Sequence, residues 1–227
     1  MPAITTLLLD LDGTLVDTEP RHIEAHRQFL ATVGIVPTEA DLLGNIGKGD
    51  ERFYNELMLR HGKTGNMFAW VAEKDRITGE LYRSLGVPVR PGTHELLDHA
   101  FANGLACVVV TSSNRELATV ALEESGLAAR LPMRVCFEDT ERHKPHPEPY
   151  ALAASRLGVP PSACLAVEDS MSGISSAHAA GVQVVAAKGH AAAADQIRAG
   201  ATRVIERLDE LVPIGAQSFT ARLAAAR

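Results

Sequence analysis

Apolar and polar positions change period twice along the chain. Ile4–Leu11 is a short apolar run ending in acidic residues, which predicts a strand buried in a parallel sheet with its carboxyl end at an edge. Over Glu19–Val33 the apolar residues Ile23, Phe29, Leu30 and Val33 fall on one side of a helical repeat that stops at Gly34, so an amphipathic helix is expected. Helical patterning continues over Glu39–Asn45, Asp50–His61 and Met67–Leu85, broken by glycine-containing turns and by no strand signal. From Pro91 the two periods alternate. Helices are expected over Thr93–Ala102, Arg115–Ser125, Glu148–Leu157, Met171–Ala180 and Ala191–Ala199. Strands are expected over Leu105–Val110, Met133–Phe137, Ala163–Val167, Val182–Ala187 and Arg203–Ile205. Gly126 and Gly181 close two of the helices, Ser170 caps one, and Ala216–Arg227 reads as a surface helix.

Strands alternating with helices imply right-handed crossovers and a mostly parallel sheet. The expected class is therefore α/β, a Rossmann-like core interrupted after its first strand by a helical insertion. Turn residues cluster at Gly86-Val87-Pro88 and Arg90-Pro91-Gly92. They divide the chain into a core of residues 1–17 and 88–227 and a helical cap of residues 18–87.

Composition narrows the class further. With 46% hydrophobic residues in 227, a packed core is available and disorder is not expected. The longest apolar runs fall far short of the roughly 20 residues a membrane span requires, and the first residues lack the basic stretch of a secretory leader. Cys107, Cys136 and Cys164 are too few and too scattered for a disulfide framework or zinc ribbon and read as small core residues. A net charge of −6 without any basic run argues against nucleic acid or an anionic membrane as partner, and a cytoplasmic location is expected.

Ligands of an open parallel sheet bind beyond the carboxyl ends of its strands. There stand Asp10-Leu11-Asp12-Gly13-Thr14, Thr111-Ser112-Ser113-Asn114, Lys144-Pro145-His146-Pro147 and Glu168-Asp169-Ser170. Four carboxylates gathered at one edge repel one another unless a cation joins them. An oxygen-only donor set suits Mg²⁺, whereas zinc would call for Cys or His. Lys144 and the helix opening after Thr111 supply positive potential for a phosphate.

These segments, in order, resemble the motifs of the haloacid dehalogenase-like superfamily, in its branch with a small helical cap that includes β-phosphoglucomutases and phosphoglycolate phosphatases. The resemblance implies a two-step transfer: Asp10 as nucleophile, Asp12 as general acid and base, Thr111 and Lys144 on the phosphoryl group, and Mg²⁺ on the Asp10 carboxylate, the Asp12 backbone carbonyl and Asp169, with Glu168 nearby or through water. The acid at Asp12 points to phosphomonoester chemistry, since the dehalogenase and phosphonatase branches lack it. The substrate implied is a small phosphorylated metabolite and the molecule a monomer.

Around this set, Ser112, His22, Lys48, Arg52 and Asn114 are candidates to touch the substrate. His22 matches a cap histidine of β-phosphoglucomutase-like members, and Lys48 or Arg52 offers a charge for a second anion. Ser113 and Asn114 either reach the leaving group or cap the helix that follows. A sugar phosphomutase using Lys74, Arg76 or Arg83 for a second phosphate is the alternative, and a non-catalytic phosphometabolite-binding protein a more distant one.

Overall fold

The computed structural model describes residues 3–44 and 49–212. Lys48, the last residue of the helix expected over Glu39–Asn45, and the helix expected over Ala216–Arg227 lie outside the described residues. Six parallel strands form one sheet: β1 (Thr6–Leu9), β2 (Ala106–Val110), β3 (Arg134–Val135), β4 (Cys164–Glu168), β5 (Gln183–Ala187) and β6 (Arg203–Ile205), in the order β3-β2-β1-β4-β5-β6. α5 (Thr93–Ala102), α6 (Arg115–Glu124), α7 (Glu148–Arg156), α8 (Met171–Ala179) and α9 (Ala193–Arg198) are the crossover helices. α1 (Glu19–Thr32), α2 (Glu39–Leu43), α3 (Asp50–Arg60) and α4 (Met67–Leu85) form the block between β1 and α5.

β1 is flanked by β2 and β4, and its alternating side chains divide the core. Leu7 and Leu9 join Val109 and Val167 under α5 and α6 (Leu96, Leu97, Leu117). Leu8 joins Val108 and Ala166 under α7 and α8 (Tyr150, Ile174). Burial on both faces is why β1, β2 and β4 are continuously apolar.

The register also fixes what stands at the edge. Leu9 pairs with Val109 and Val167, so the next level brings Asp10 beside Val110 and Glu168. Gly13, at φ +79°, then turns the chain, and Val16 bridges antiparallel to Val89. Asp17 N donates to Pro88 O (2.8 Å) and Arg90 N to Leu15 O (2.9 Å), stitching together the two passes that lead into and out of the helical block. That block buries its own cluster of Phe29, Leu30, Tyr54, Leu57 and Ile77.

Several expected elements are shorter in the structure, the first strand among them at Thr6–Leu9, and for two the cause is visible. The strand over Met133–Phe137 has only two paired residues. Cys136 N turns to Asp139 Oδ2 (2.8 Å) and Phe137 N to Ser113 O (3.1 Å), which ends pairing at this sheet edge. The helix over Ala191–Ala199 begins at Ala193, where Ala192 offers no capping side chain. Cys107, Cys136 and Cys164 are buried free thiols. Among the described residues, no helix is long and apolar enough to cross a membrane.

Candidate active site

Lys144 is the centre of the edge. Its ammonium, 4% exposed, donates to Asp10 Oδ1 (2.7 Å), Glu168 Oε1 (2.5 Å) and the carbonyl of Val110 (2.9 Å). The loop carrying it is pinned from α8, where Ser176 Oγ donates to His146 O (2.5 Å). Burial disfavours the ammonium, but the charges of Asp10 and Glu168 outweigh that and hold Lys144 protonated beyond its ordinary range.

Glu168 is fully buried, and both its oxygens are engaged. Oε1 accepts from Lys144 and from Tyr150 OH (3.0 Å), and Oε2 from Ser170 N (3.0 Å) and Ser170 Oγ (2.9 Å). α8 comes close enough for this only through Gly173, where a Cβ would stand 1.6 Å from Glu168 Oε1. Glu168, expected near the metal or reaching it through water, thus has both oxygens engaged, one by Lys144 and Tyr150 and the other by the turn into α8.

Asp10, Glu168 and Asp169 each bring one oxygen to within 4.8 Å of the others. Three carboxylates share one ammonium. Asp10 is raised well above its ordinary range by burial and by the charge of Glu168, against the pull of Lys144. Burial, then Glu168, push Asp169 up to about 7, although Thr14 Oγ1 donates to its Oδ1 (3.2 Å). Gly13 leaves room here, since a Cβ on it would lie 2.4 Å from Asp169 Oδ2. A hard divalent cation fits this excess of oxygen and negative charge.

Asp12 points the other way, toward the helical block. Thr18 Oγ1 donates to Oδ1 (2.7 Å) and Ser113 Oγ to Oδ2 (2.7 Å), with Thr111 Oγ1 at 3.3 Å and Tyr82 OH at 3.5 Å. Burial works against ionisation of Asp12. The nearby His22 ring, with the Ser113 and Thr18 hydroxyls that donate to Asp12, outweighs burial and holds the carboxyl below its ordinary range.

Of the substrate-facing candidates, His22 and Asn114 join this network. Lys74 Nζ lies 3.0 Å from His22 Nδ1, and Tyr82 OH 3.0 Å from Nε2. An ammonium only donates, so Nδ1 accepts and Nε2 carries the proton in the neutral ring. Asn114 caps α6, one of the two roles weighed for it, its Oδ1 accepting from Leu117 N (2.8 Å), while Nδ2 donates to Asp75 Oδ2 (2.8 Å). Ser112 is exposed; its neighbour Ser113 supplies the hydroxyl to Asp12 instead. Arg52 is not brought in: its side chain is exposed and holds Glu56 at 2.9 Å. Sequence reasoning passed over Thr18, Tyr82, Asp50 and Asp75, which look like ordinary hinge and helix-face residues until the fold closes around them.

A profile of the haloacid dehalogenase-like hydrolases matches residues 4–181. The chain belongs to that family and is accordingly an enzyme of the hydrolase class. It is 34% identical to protein CbbY of Rhodobacter capsulatus over 197 residues, covering 80% of this chain and 84% of that protein. Hexitol phosphatase A of Escherichia coli is 35% identical over 181 residues, covering 79% and 81%. The crystal structure of CbbY from Rhodobacter sphaeroides with xylulose-(1,5)bisphosphate shares the fold at a TM-score of 0.79 and 24% identity, covering 92% of this chain and 96% of that one.

Proposed function

We propose that this enzyme hydrolyses a small phosphorylated metabolite, a sugar phosphate or phosphoglycolate-like acid, through a phosphorylated Asp10, with residues 18–87 acting as a cap over the core. The observation that carries the reading is the placement of Asp12, a second acid fixed by Thr18 and Ser113 on the side facing the helical block. An ester leaves as an alkoxide and needs a proton there.

Asp10 attacks phosphorus, and the bond from phosphorus to the leaving oxygen breaks as Asp12 protonates that oxygen. Water, deprotonated by Asp12, then attacks phosphorus and frees Asp10 and inorganic phosphate. The hydrogen bonds that hold Asp12 ionised keep it free to take a proton from water in the base half of the cycle; a phosphoryl dianion beside it raises its proton affinity and loads it with a proton for the acid half. Lys144 offsets charge on Asp10 and on the phosphoryl group, and Thr111 Oγ1 turns from Asp12 to a phosphoryl oxygen. Asp10, Asp169 and the Asp12 carbonyl would hold Mg²⁺, which when bound supplies further charge neutralisation. By the same reading Ser112 contacts the phosphate, His22 and Asn114 the leaving group, and Lys48 the substrate.

A phosphomutase would need a cap cation for a second phosphate. Lys74, Arg76 and Arg83 all face carboxylates, which favours hydrolysis. The test is phosphate release from a metabolite panel with and without Mg²⁺, with Asp10→Asn as blank. Mg²⁺-dependent release by the wild type alone is expected, whereas release by Asp10→Asn near the wild-type rate would remove Asp10 as nucleophile. Conversion of β-glucose 1-phosphate to another sugar phosphate without release would favour the mutase.

A further inference from the structure

Lys74 is a cation buried at the cap side of the site, 3% exposed on α4. Its ammonium meets Asp50 Oδ2 at 2.8 Å, His22 Nδ1 at 3.0 Å and Asp75 Oδ1 at 3.3 Å. A lysine ammonium has three donors, so all are spent within the protein. An incoming anion could claim Lys74 only by expelling a carboxylate. Arg76 is drawn to Glu73 and Glu80 on an exposed face, and Arg83 lies 4.0 Å from an exposed Glu116. One ammonium against Asp50 and Asp75 leaves this part of the cap net negative.

Asp75 has the position to use that charge. Its side chain is 20% exposed, and Oδ2 accepts from Asn114 across the boundary between helical block and core. Asn114 directly follows Ser113, whose hydroxyl holds Asp12. Adjacent residues thus tie Asp12 and Asp75 to one rim, and Lys74, His22 and Tyr82 connect the same two carboxylates from the cap side. Asp75 therefore stands on the same side of the site as Asp12, the side from which a leaving oxygen would be protonated. Burial holds Asp75 above the ordinary carboxylate range, so a further donor offered to it is favourable.

We propose that Asp75 is a specificity-determining residue: it accepts a hydroxyl or ammonium of the leaving group, shared with Asn114, while the Asp50–Lys74–Asp75 cluster turns away a second phosphate. The substrate class is then a polyhydroxylated or amino-bearing monophosphate. This rests on the reading of Asp10 and Asp12 as a phosphatase centre.

The test compares kcat/KM on matched skeletons: glucose 6-phosphate against glucose 1,6-bisphosphate, fructose 1-phosphate against fructose 1,6-bisphosphate, and glucosamine 6-phosphate. p-Nitrophenyl phosphate serves as an ester without hydroxyls. The wild type is expected to favour the monophosphates by about tenfold or more. Asp75→Asn should lose about tenfold more on hydroxylated monophosphates than on p-nitrophenyl phosphate, chiefly through KM, and should narrow the gap to the bisphosphates. Bisphosphates cleaved as well as monophosphates would overturn the proposal. So would equal losses on every substrate, or cleavage of p-nitrophenyl phosphate with none of the hydroxylated compounds. No release from any compound would strike the phosphatase reading instead. The wild-type preference stands as a test even where Asp75→Asn fails to fold.

Discussion

Lys144 Nζ donates to Asp10 Oδ1 across 2.7 Å although 134 positions separate the two residues in the chain. The same ammonium holds Glu168, so one buried positive charge balances two buried carboxylates from different strand ends. Such an arrangement is tolerated when complete and costly when one partner is removed.

Lys144→Met should therefore abolish phosphate release and lower stability at pH 7.5 by about 3–5 kcal/mol. Burial and the charge of Glu168 already hold the Asp10 carboxyl above its ordinary range, and without the ammonium nothing opposes them, so its folded pKa stands further above its unfolded one. Stability is then greatest below the unfolded values and is lost as pH rises. Urea unfolding should accordingly show a smaller deficit at pH 5 than at pH 7.5. An equal deficit at both would mean that lost packing, not unpaired charge, is responsible.

Gly173→Ala offers a test by sign. In an ordinary helix the change to alanine stabilises by about 1 kcal/mol. Here the new Cβ would stand 1.6 Å from Glu168 Oε1. We expect a loss of about 2 kcal/mol or more in the urea midpoint analysis, together with lost activity as Glu168 releases Lys144. A stabilised, active variant would show that Glu168 is free to move.

Asp169→Asn should raise the Mg²⁺ concentration for half-maximal release by about tenfold or more. With Asp169 pushed up to about 7, a bound proton competes with the metal near neutrality, so the wild type should need less Mg²⁺ as pH rises from 6 to 8. The variant should lose that dependence. Identical metal titrations for the two proteins would take Asp169 out of the site.

His26 supplies a pH effect inside the helical block. Its ring lies against Tyr54 OH (2.7 Å) and Asp50 (3.4 Å), and burial, helped by Lys74, pushes it down to about 3 despite Asp50. The unfolded chain binds this proton near pH 6.5, so stability from neutral His26 is complete above 6.5 and falls as pH drops toward 3. Asp169 acts with the opposite sign in this range, so the comparison is with His26→Gln. Between pH 6.5 and 4.5 the wild type should lose about 2 kcal/mol more than the variant. Parallel pH profiles would show that His26 is protonated in the fold.

Much of this was legible in the chain because its causes are local. Ile4–Leu11 announces a buried strand by its own residues, and Asp10 and Asp12 stand two positions apart at its end, so their arrival at the sheet edge needs no tertiary information. The short strand at Arg134–Val135 was overestimated because its end depends on Asp139 capturing Cys136 N, a side-chain contact no periodicity records. Arg52 looked like a receptor for anions because its pairing with Glu56 was unweighed, and an exposed pair at this helical spacing is common.

By itself, then, the sequence determined the α/β alternation, the helical insertion and the identities of Asp10, Asp12, Thr111, Lys144 and Asp169 at strand ends, since strand and turn signals act over a few residues. Only the tertiary structure decided that Ser113 holds Asp12, that Glu168 serves Lys144, and that Lys74 is enclosed by Asp50, Asp75 and His22. A lysine beside an aspartate on an amphipathic helix has the same local pattern whether solvated or buried. Its neighbours are chosen by the packing of α1, α3 and α4 and by the closure of that block on the core, and desolvation then sets which charges are satisfied and which remain for a substrate.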